Sequence, residues 1–95
     1  MAQATAKNVC DTDEMRSRIY EHTINCEQDG IYLTADDVEY RIVWVPAEEN
    51  WALFVTEDGK ADFWGFDGLD RQLESVSDDA VEAYYFDEVA EEYDE

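Results

Sequence analysis

Residues 38–66 have the sequence VEYRIVWVPAEENWALFVTEDGKADFWGF, in which apolar and polar side chains alternate over residues 38–45. Alternation with a period of two residues is typical of a β-strand with one buried face. The residues that share the apolar face of this strand are Val38, Tyr40, Ile42 and Trp44. We therefore predict that Trp44, and Phe63 on a later strand, lie buried beneath helices.

Turn residues divide the rest of the stretch into further strands. Pro46 lacks the N–H that a β-ladder needs, and Asp58-Gly59 is a favoured hairpin turn between two aromatic-rich segments. A short strand before residue 35 completes the set. These signals predict a four-stranded antiparallel meander with strands at residues 31–34, 38–45, 51–56 and 61–66.

Helical patterns lie on both sides of the meander. Asp11 and Glu14 have the spacing of a capping box, and the apolar residues that follow recur at helical intervals, which predicts a helix over residues 12–27. The β-branched residues of that segment leave a strand as the alternative. A second short helix is predicted at residues 69–74. The sequence thus predicts an α+β fold in which helices cover one face of the sheet.

The last nineteen residues, 77–95, read SDDAVEAYYFDEVAEEYDE and predict an acidic amphipathic helix. Drawn as a regular α-helix, its apolar side packs on the sheet and consists of Val81, Tyr85, Phe86, Val89, Ala90 and Tyr93. The segment holds nine acidic residues and no basic ones. Along a helix of ~27 Å this is one charge per ~3 Å, close to the ~3.4 Å between phosphates along one DNA strand.

The whole chain of 95 residues is strongly acidic, with 26 Asp and Glu against six Lys and Arg and a net charge of −20. Such a charge repels nucleic acid and anionic membranes and attracts proteins with basic surfaces, so direct binding of nucleic acid is not expected. An aromatic content of 14% indicates a folded domain, not a disordered acidic tail. We predict one α+β domain at residues 11–95 after a flexible N terminus at residues 1–10.

Neither a signal peptide nor a membrane span is evident. The N-terminal residues lack an apolar region, and no apolar run approaches the ~18 residues of a membrane-spanning helix. A cytoplasmic protein is therefore expected. Its two cysteines, Cys10 and Cys26, are expected to be reduced thiols in that compartment.

Few residues suggest catalysis or a cofactor. His22 is the single histidine, and Cys26 follows it by one helical turn, but no further group completes a nucleophilic or metal site. The acidic residues do not follow the spacing of a calcium-binding loop, and no glycine-rich phosphate loop is present. We therefore expect neither an enzyme nor a bound metal or cofactor, and we interpret His22 as a residue of a helix face.

In size, charge and folded aromatic content the chain resembles the small acidic inhibitors that phages and mobile elements encode, namely anti-restriction and anti-CRISPR proteins. The resemblance is one of composition and is concentrated in residues 67–95, which end in EEYDE. It implies no particular fold. It implies a DNA mimic that occupies the nucleic-acid-binding site of a basic protein, such as a CRISPR effector complex or a restriction enzyme.

The residues expected to contact such a partner lie on the last helix. Carboxylates one helical turn apart are spaced ~6 Å, near the phosphate repeat, and they are good bidentate partners for Arg. An exposed Tyr84 is predicted to add an anchoring contact. The predicted contact residues are Asp78, Asp79, Glu82, Tyr84, Asp87, Glu88, Glu91, Glu92, Asp94 and Glu95.

The alternative function is that of a salt-adapted acidic domain that serves as a protein–protein interaction module. Carboxylates keep the proteins of salt-loving organisms hydrated, and the presence of only two lysines fits that adaptation. The sequence does not decide between the two functions. It also leaves a homodimer open.

Overall fold

The computed structural model describes residues 11–93 and has the predicted α+β architecture. The predicted flexible N terminus, residues 1–10, lies outside the described residues. The first five elements in chain order are α1 (Thr12–Asn25), β1 (Gly30–Ala35), β2 (Val38–Val45), β3 (Asn50–Glu57) and β4 (Lys60–Asp67). The elements that follow β4 are α2 (Leu69–Glu74), α3 (Asp78–Tyr84), a π-helical turn (Tyr85–Val89) and α4 (Ala90–Tyr93). We call the continuous run of residues 78–93 the C-terminal helix.

The four strands form one antiparallel sheet in the order β1–β2–β3–β4, which confirms the predicted meander. The tight turns require left-handed backbone at Asp36 (φ 53°), Asp37 (φ 69°), Asp58 (φ 55°) and Gly59 (φ 79°). Glycine adopts this conformation freely, and Asp tolerates it better than most residues. The turn residues recognised in the sequence therefore close the β1–β2 and β3–β4 hairpins, two of the three in the sheet.

A β-bulge interrupts the pairing of β3 with β4. Leu53 pairs with Gly65 and Phe54 pairs with Phe63, which leaves Trp64 as the extra residue. Gly65 adopts a φ of 111°, a conformation that residues with a side chain rarely adopt. The bulge shifts the alternation of β4 by one residue. Phe63 and Gly65, on either side of Trp64, therefore lie on opposite faces of the sheet, whereas regular alternation would place them on the same face.

Buried Gln72 supports the sheet at the bulge. Its side-chain amide on α2 donates to the carbonyl oxygens of Trp51 (2.9 Å) and Gly65 (3.0 Å). A buried carbonyl without a donor costs roughly 1–3 kcal/mol. Gln72 thereby joins α2 to both strands where their own ladder is irregular.

The core lies between one face of the sheet and the helices. Its strand residues follow the period of two and are Ile31, Leu33, Tyr40, Ile42, Trp51, Leu53 and Val55. The helices and the segments between them contribute Met15, Ile19, Leu69, Leu73, Val76, Ala80, Val81, Tyr85 and Val89. The C-terminal helix packs against β1 and α1 in this layer, as the sequence predicted for the helix and the sheet.

The predicted burial of Trp44 and Phe63 is wrong. Trp44 shares a face with Ile42, and its ring centroid lies 5.6 Å from that of the buried Trp51. It is nevertheless 36% exposed, because the helices leave that end of the sheet partly uncovered. Phe63 is 50% exposed. It pairs with Phe54, whose neighbours in β3 are the core residues, and therefore lies on the face that no helix covers.

Arg16 fastens α1 to the junction between α2 and the C-terminal helix. Its guanidinium donates to the carbonyl oxygens of Leu73 (2.8 Å) and Val76 (2.6 Å) and pairs with the Asp78 carboxylate at 3.0 Å. The last carbonyls of a helix have no partner within the helix, so an external donor is needed there. One side chain of α1 thus fixes where the C-terminal helix begins.

The C-terminal helix is not the regular α-helix that the sequence analysis assumed. A π-helical turn spans Tyr85–Val89, and the Ala90 N–H donates to the Tyr85 carbonyl oxygen. Four residues of a regular α-helix turn through ~400°, which is ~40° more than a full turn. A side chain four positions further along therefore points ~40° away from the first one around the helix axis. The wider π turn reverses this drift and keeps Val89 buried beside Tyr85. Phe86, predicted on the apolar side, is 60% exposed, so that assignment is wrong.

We expect the folded protein to become more stable as salt concentration rises. With a net charge of −20, repulsion among carboxylates opposes the compact state, and salt screens it over ~10 Å at 0.1 M. The melting temperature should therefore be higher in about 0.5 M NaCl than in about 0.02 M NaCl. A lower melting temperature at the higher salt concentration would contradict this account of the charge.

Candidate acidic interaction face

Five carboxylates project from the C-terminal helix without taking part in the contacts that hold it to the domain. All five are exposed: Asp79, Glu82, Asp87, Glu88 and Glu91. The first two lie in the first turns of the helix, and the other three lie in or just after the π-helical turn. We call these residues the acidic row.

Two other predicted contact residues are engaged in holding the helix in place. Asp78 pairs with Arg16, and Glu92 accepts a hydrogen bond from the ring of His22, with 2.5 Å between Glu92 Oε2 and His22 Nδ1. Both contacts join the C-terminal helix to α1. Asp94 and Glu95 lie outside the described residues, and their role as contact residues stays a prediction.

Tyr84 does not have the predicted exposed position. Its side chain is half-buried and packs against the hydrophobic core. Burial raises the pKa of the Tyr84 hydroxyl above its ordinary value, and the nearby Glu88 carboxylate raises the pKa further. The predicted full exposure of Tyr84 is therefore wrong, and its role as a contact residue stays a prediction.

Arg18 of α1 anchors the far half of the C-terminal helix. Its guanidinium donates to the Tyr85 hydroxyl at 2.7 Å and lies over the Tyr93 ring, 4.5 Å from the ring centroid. The Tyr93 hydroxyl in turn donates to Glu21 at 3.1 Å. The helix is therefore held to α1 at its start by Arg16 and further along by Arg18, which fixes the positions of the acidic row.

The acidic surface extends beyond the C-terminal helix. A groove of about 590 Å³ between α1 and α2 is lined by Arg16, Ser17 and Tyr20 and by four acidic residues, Asp13, Glu21, Asp70 and Glu74. We call these four residues the groove acids. No local pattern in the sequence indicates that these four residues share one surface, because they come from two helices separated by the entire sheet. The exposed side of the helical layer is thus acidic on α1, α2 and the C-terminal helix.

One group of side chains has the composition of a metal site. His22, Cys26 and Glu92 place their potential ligand atoms within 4.8 Å of one another, and the Cys26 sulfur lies 3.9 Å from both ring nitrogens of His22. Imidazole, thiolate and carboxylate together suit Zn²⁺. In the geometry observed, however, the Glu92 carboxylate bonds His22 directly, and this pair serves as a contact between α1 and α4.

Among residues 11–93, none of the helices combines the length and apolar character that a membrane crossing requires. Comparison of the chain with protein-family models, with curated proteins and with solved structures gave no match.

Proposed function

We propose that the protein is a DNA-mimic inhibitor that occupies the nucleic-acid-binding site of a basic protein, such as a CRISPR effector complex or a restriction enzyme. The observation that carries this proposal is the acidic row, five exposed carboxylates on one helix whose position is fixed by Arg16 and Arg18. The groove acids add four further carboxylates to the helical layer, on α1 and α2.

The proposal follows from what a DNA-binding site requires. Such a site presents Lys and Arg side chains spaced for phosphates, and most of its affinity comes from these charges. Carboxylates accept paired hydrogen bonds from Arg, as phosphates do. Because the helix is already ordered, binding does not have to order a flexible acidic segment, which would weaken affinity.

A salt-adapted acidic domain is the second candidate, and one observation favours it. Exposed carboxylates also crowd the hairpin turns at Asp36, Asp37, Glu57 and Asp58, away from the helical layer. Acids spread over several surfaces are what hydration in concentrated salt requires. In that case the acidic row has no special role, and basic DNA-binding proteins are not inhibited.

A displacement experiment tests the inhibitor function. A fluorescent DNA duplex is first bound to a purified restriction enzyme or CRISPR effector complex, and the protein is then added while the anisotropy of the DNA is followed. We expect the DNA to be released from the target. We also expect the affinity of the protein for the target to fall as salt rises, in parallel with that of DNA.

The control is the labelled DNA alone, to which the protein should not bind. If a complex of target, DNA and protein forms without release of DNA, the protein does not occupy the DNA site. If neither release nor binding occurs with any enzyme of these classes, the salt-adapted domain becomes the better account.

A further inference from the structure

The face of the sheet opposite the helices is open and carries aromatic side chains. Tyr32, Phe63 and Phe66 are 46%, 50% and 43% exposed. Phe54 lies half-buried beside them, with its ring centroid 5.3 Å from that of Phe63, and Phe63 is 5.0 Å from Phe66. The β-bulge at Trp64 brings Phe63 and Phe66 to the same face. We call this surface the open face.

The open face is nearly free of net charge, unlike the acidic helical layer. By the strand register its central row runs Tyr32, Arg41, Phe54 and Phe63 across all four strands. Among the residues of β1–β4 that share this face, the charged ones are Arg41 and Glu39, which have opposite signs. The Arg41 guanidinium lies over the Tyr32 ring, 5.4 Å from its centroid.

We propose that the open face is the interface of a homodimer, in which two copies of the chain pack sheet against sheet. Exposed contiguous aromatic surface is unusual on a monomeric protein and marks an interaction site. Two chains of charge −20 repel each other strongly across their acidic surfaces. Among the strand residues of the open face the only carboxylate is that of Glu39, so contact through this face brings fewer carboxylates together than contact through the helical layer.

The geometry of such a dimer keeps the acidic surfaces apart. Packed sheets lie ~10 Å from each other, and a helical layer adds ~10 Å on each outer side, so the two acidic faces are ~30 Å apart. This is about three times the ~10 Å screening length at 0.1 M salt. Screening therefore weakens the repulsion between the two helical layers, and the acidic-row residues nearest to the interface are Asp87 and Glu88, which border Tyr32.

The area of the open face sets the expected strength. Four strands spaced ~4.8 Å, each ~6–8 residues long at ~3.3 Å per residue, cover a flat area of ~400–500 Å² per copy. Two copies bury ~800–1,000 Å² of flat area, and protruding side chains add to this value. That lies near the lower limit of specific interfaces, so we expect a reversible dimer with a dissociation constant in the micromolar range.

A second copy fits this face better than the target of the acidic row does. Asp87 and Glu88 of the acidic row border Tyr32 at the β1 edge of the open face, but Phe54, Phe63 and Phe66 lie on β3 and β4, the strands furthest from that edge. The dimer does not rest on the proposed inhibitor function. The two are also told apart by salt, since the dimer should tighten as salt rises whereas target binding should weaken.

Sedimentation equilibrium of the full chain tests the proposal. We expect the mass to rise from that of a monomer towards that of a dimer over the micromolar range, with tighter association in about 0.5 M NaCl than in about 0.02 M NaCl. A monomer at all concentrations and at both salt levels would overturn the proposal.

Matched variants locate the interface. The double variant Phe63→Ser with Phe66→Ser should weaken the dimer at least tenfold, because aromatic residues at the centre of an interface carry much of its affinity. Phe86→Ser removes a ring that is still more exposed, on the C-terminal helix, and should leave the dimer unchanged. Equal weakening by both variants would place the contact elsewhere and contradict the proposal.

NMR spectra of the unmodified protein, recorded over a series of dilutions, locate the interface without any substitution. The signals that shift with concentration should belong to Tyr32, Arg41, Phe54 and Phe63 and not to residues 78–93. Shifts confined to the C-terminal helix would overturn the proposal even if a dimer forms.

Discussion

Replacing Ile42 with Ala should lower the free energy of unfolding by about 2–5 kcal/mol. Ile42 is fully buried and lies on β2 between Ile31 of β1 and Leu53 of β3. The substitution removes buried methyl and methylene groups and leaves a cavity between the sheet and the helices, which the neighbours fill only in part. Domains are commonly stable by only about 5–15 kcal/mol, so this loss is large. Urea denaturation of the two proteins measures it.

Trp44→Ala is the matched comparison on the same strand and the same face. It removes a larger side chain, but one that is 36% exposed at the end of the sheet. We therefore expect it to cost less than Ile42→Ala. If Trp44→Ala lowers the free energy of unfolding by as much as Ile42→Ala or more, the helices cover that end of the sheet and Trp44 belongs to the core.

The strands were predictable because their signals are local. Alternation in residues 38–45 and the turn residues around Asp58 specify strands and hairpins without knowledge of the rest of the chain. The extent of burial was not predictable in the same way. Trp44 has the pattern of a core residue, but its burial depends on where the helices end, which is a property of the packed domain.

The β-bulge and the π-helical turn each insert one residue into a regular repeat, and assignments beyond that residue then change. Phe86 was assigned from a regular helix and is exposed. Phe63 precedes the bulge, and it is exposed because its register with Phe54 places it on the face that no helix covers. Gly65 was the one local signal for the bulge, since isolated glycine within a strand often marks one.

The five carboxylates of the acidic row were predicted as contact residues, but the groove acids and the residues that position the C-terminal helix were not. Arg16 and Arg18 contact side chains and carbonyls some 57 to 67 positions away in the sequence. No local pattern reveals such contacts. The available signal was that two of the six basic residues lie within one helix, while residues 77–95 contain none.

Neutralising four of the five carboxylates of the acidic row should abolish most of the affinity for a basic target. The variant is Glu82→Gln, Asp87→Asn, Glu88→Gln and Glu91→Gln together, which keeps shape and removes four charges. Exposed ion pairs contribute roughly 0.2–1 kcal/mol each, so we expect single changes to have little effect. The four together should cost roughly 1–4 kcal/mol, or about fivefold to a thousandfold in affinity.

The same variant should fold at least as stably as the parent. The four side chains are exposed and do not take part in the contacts that anchor the helix. Their removal also relieves mutual repulsion, and Glu91 lies towards the C-terminal end of the helix, where negative charge is unfavourable. A loss of affinity therefore cannot be attributed to unfolding if the melting temperature is unchanged or higher.

The control removes four charges from the hairpin turns by Asp36→Asn, Asp37→Asn, Glu57→Gln and Asp58→Asn. Three of these positions have left-handed backbone, which Asn tolerates as well as Asp does. Carboxylates of α1 such as Asp13 and Glu21 are unsuitable as a control, because they line the acidic groove beside the C-terminal helix. Both variants have the same net charge and differ only in where the charge was removed.

The most direct test of the inhibitor function is the displacement of labelled DNA from one target by the parent and these two variants, at a single low salt concentration. We expect the hairpin variant to release DNA nearly as well as the parent, and the acidic-row variant to require far more protein or to fail. If the two variants lose activity equally, total charge and not the C-terminal helix determines binding, and the central claim is wrong.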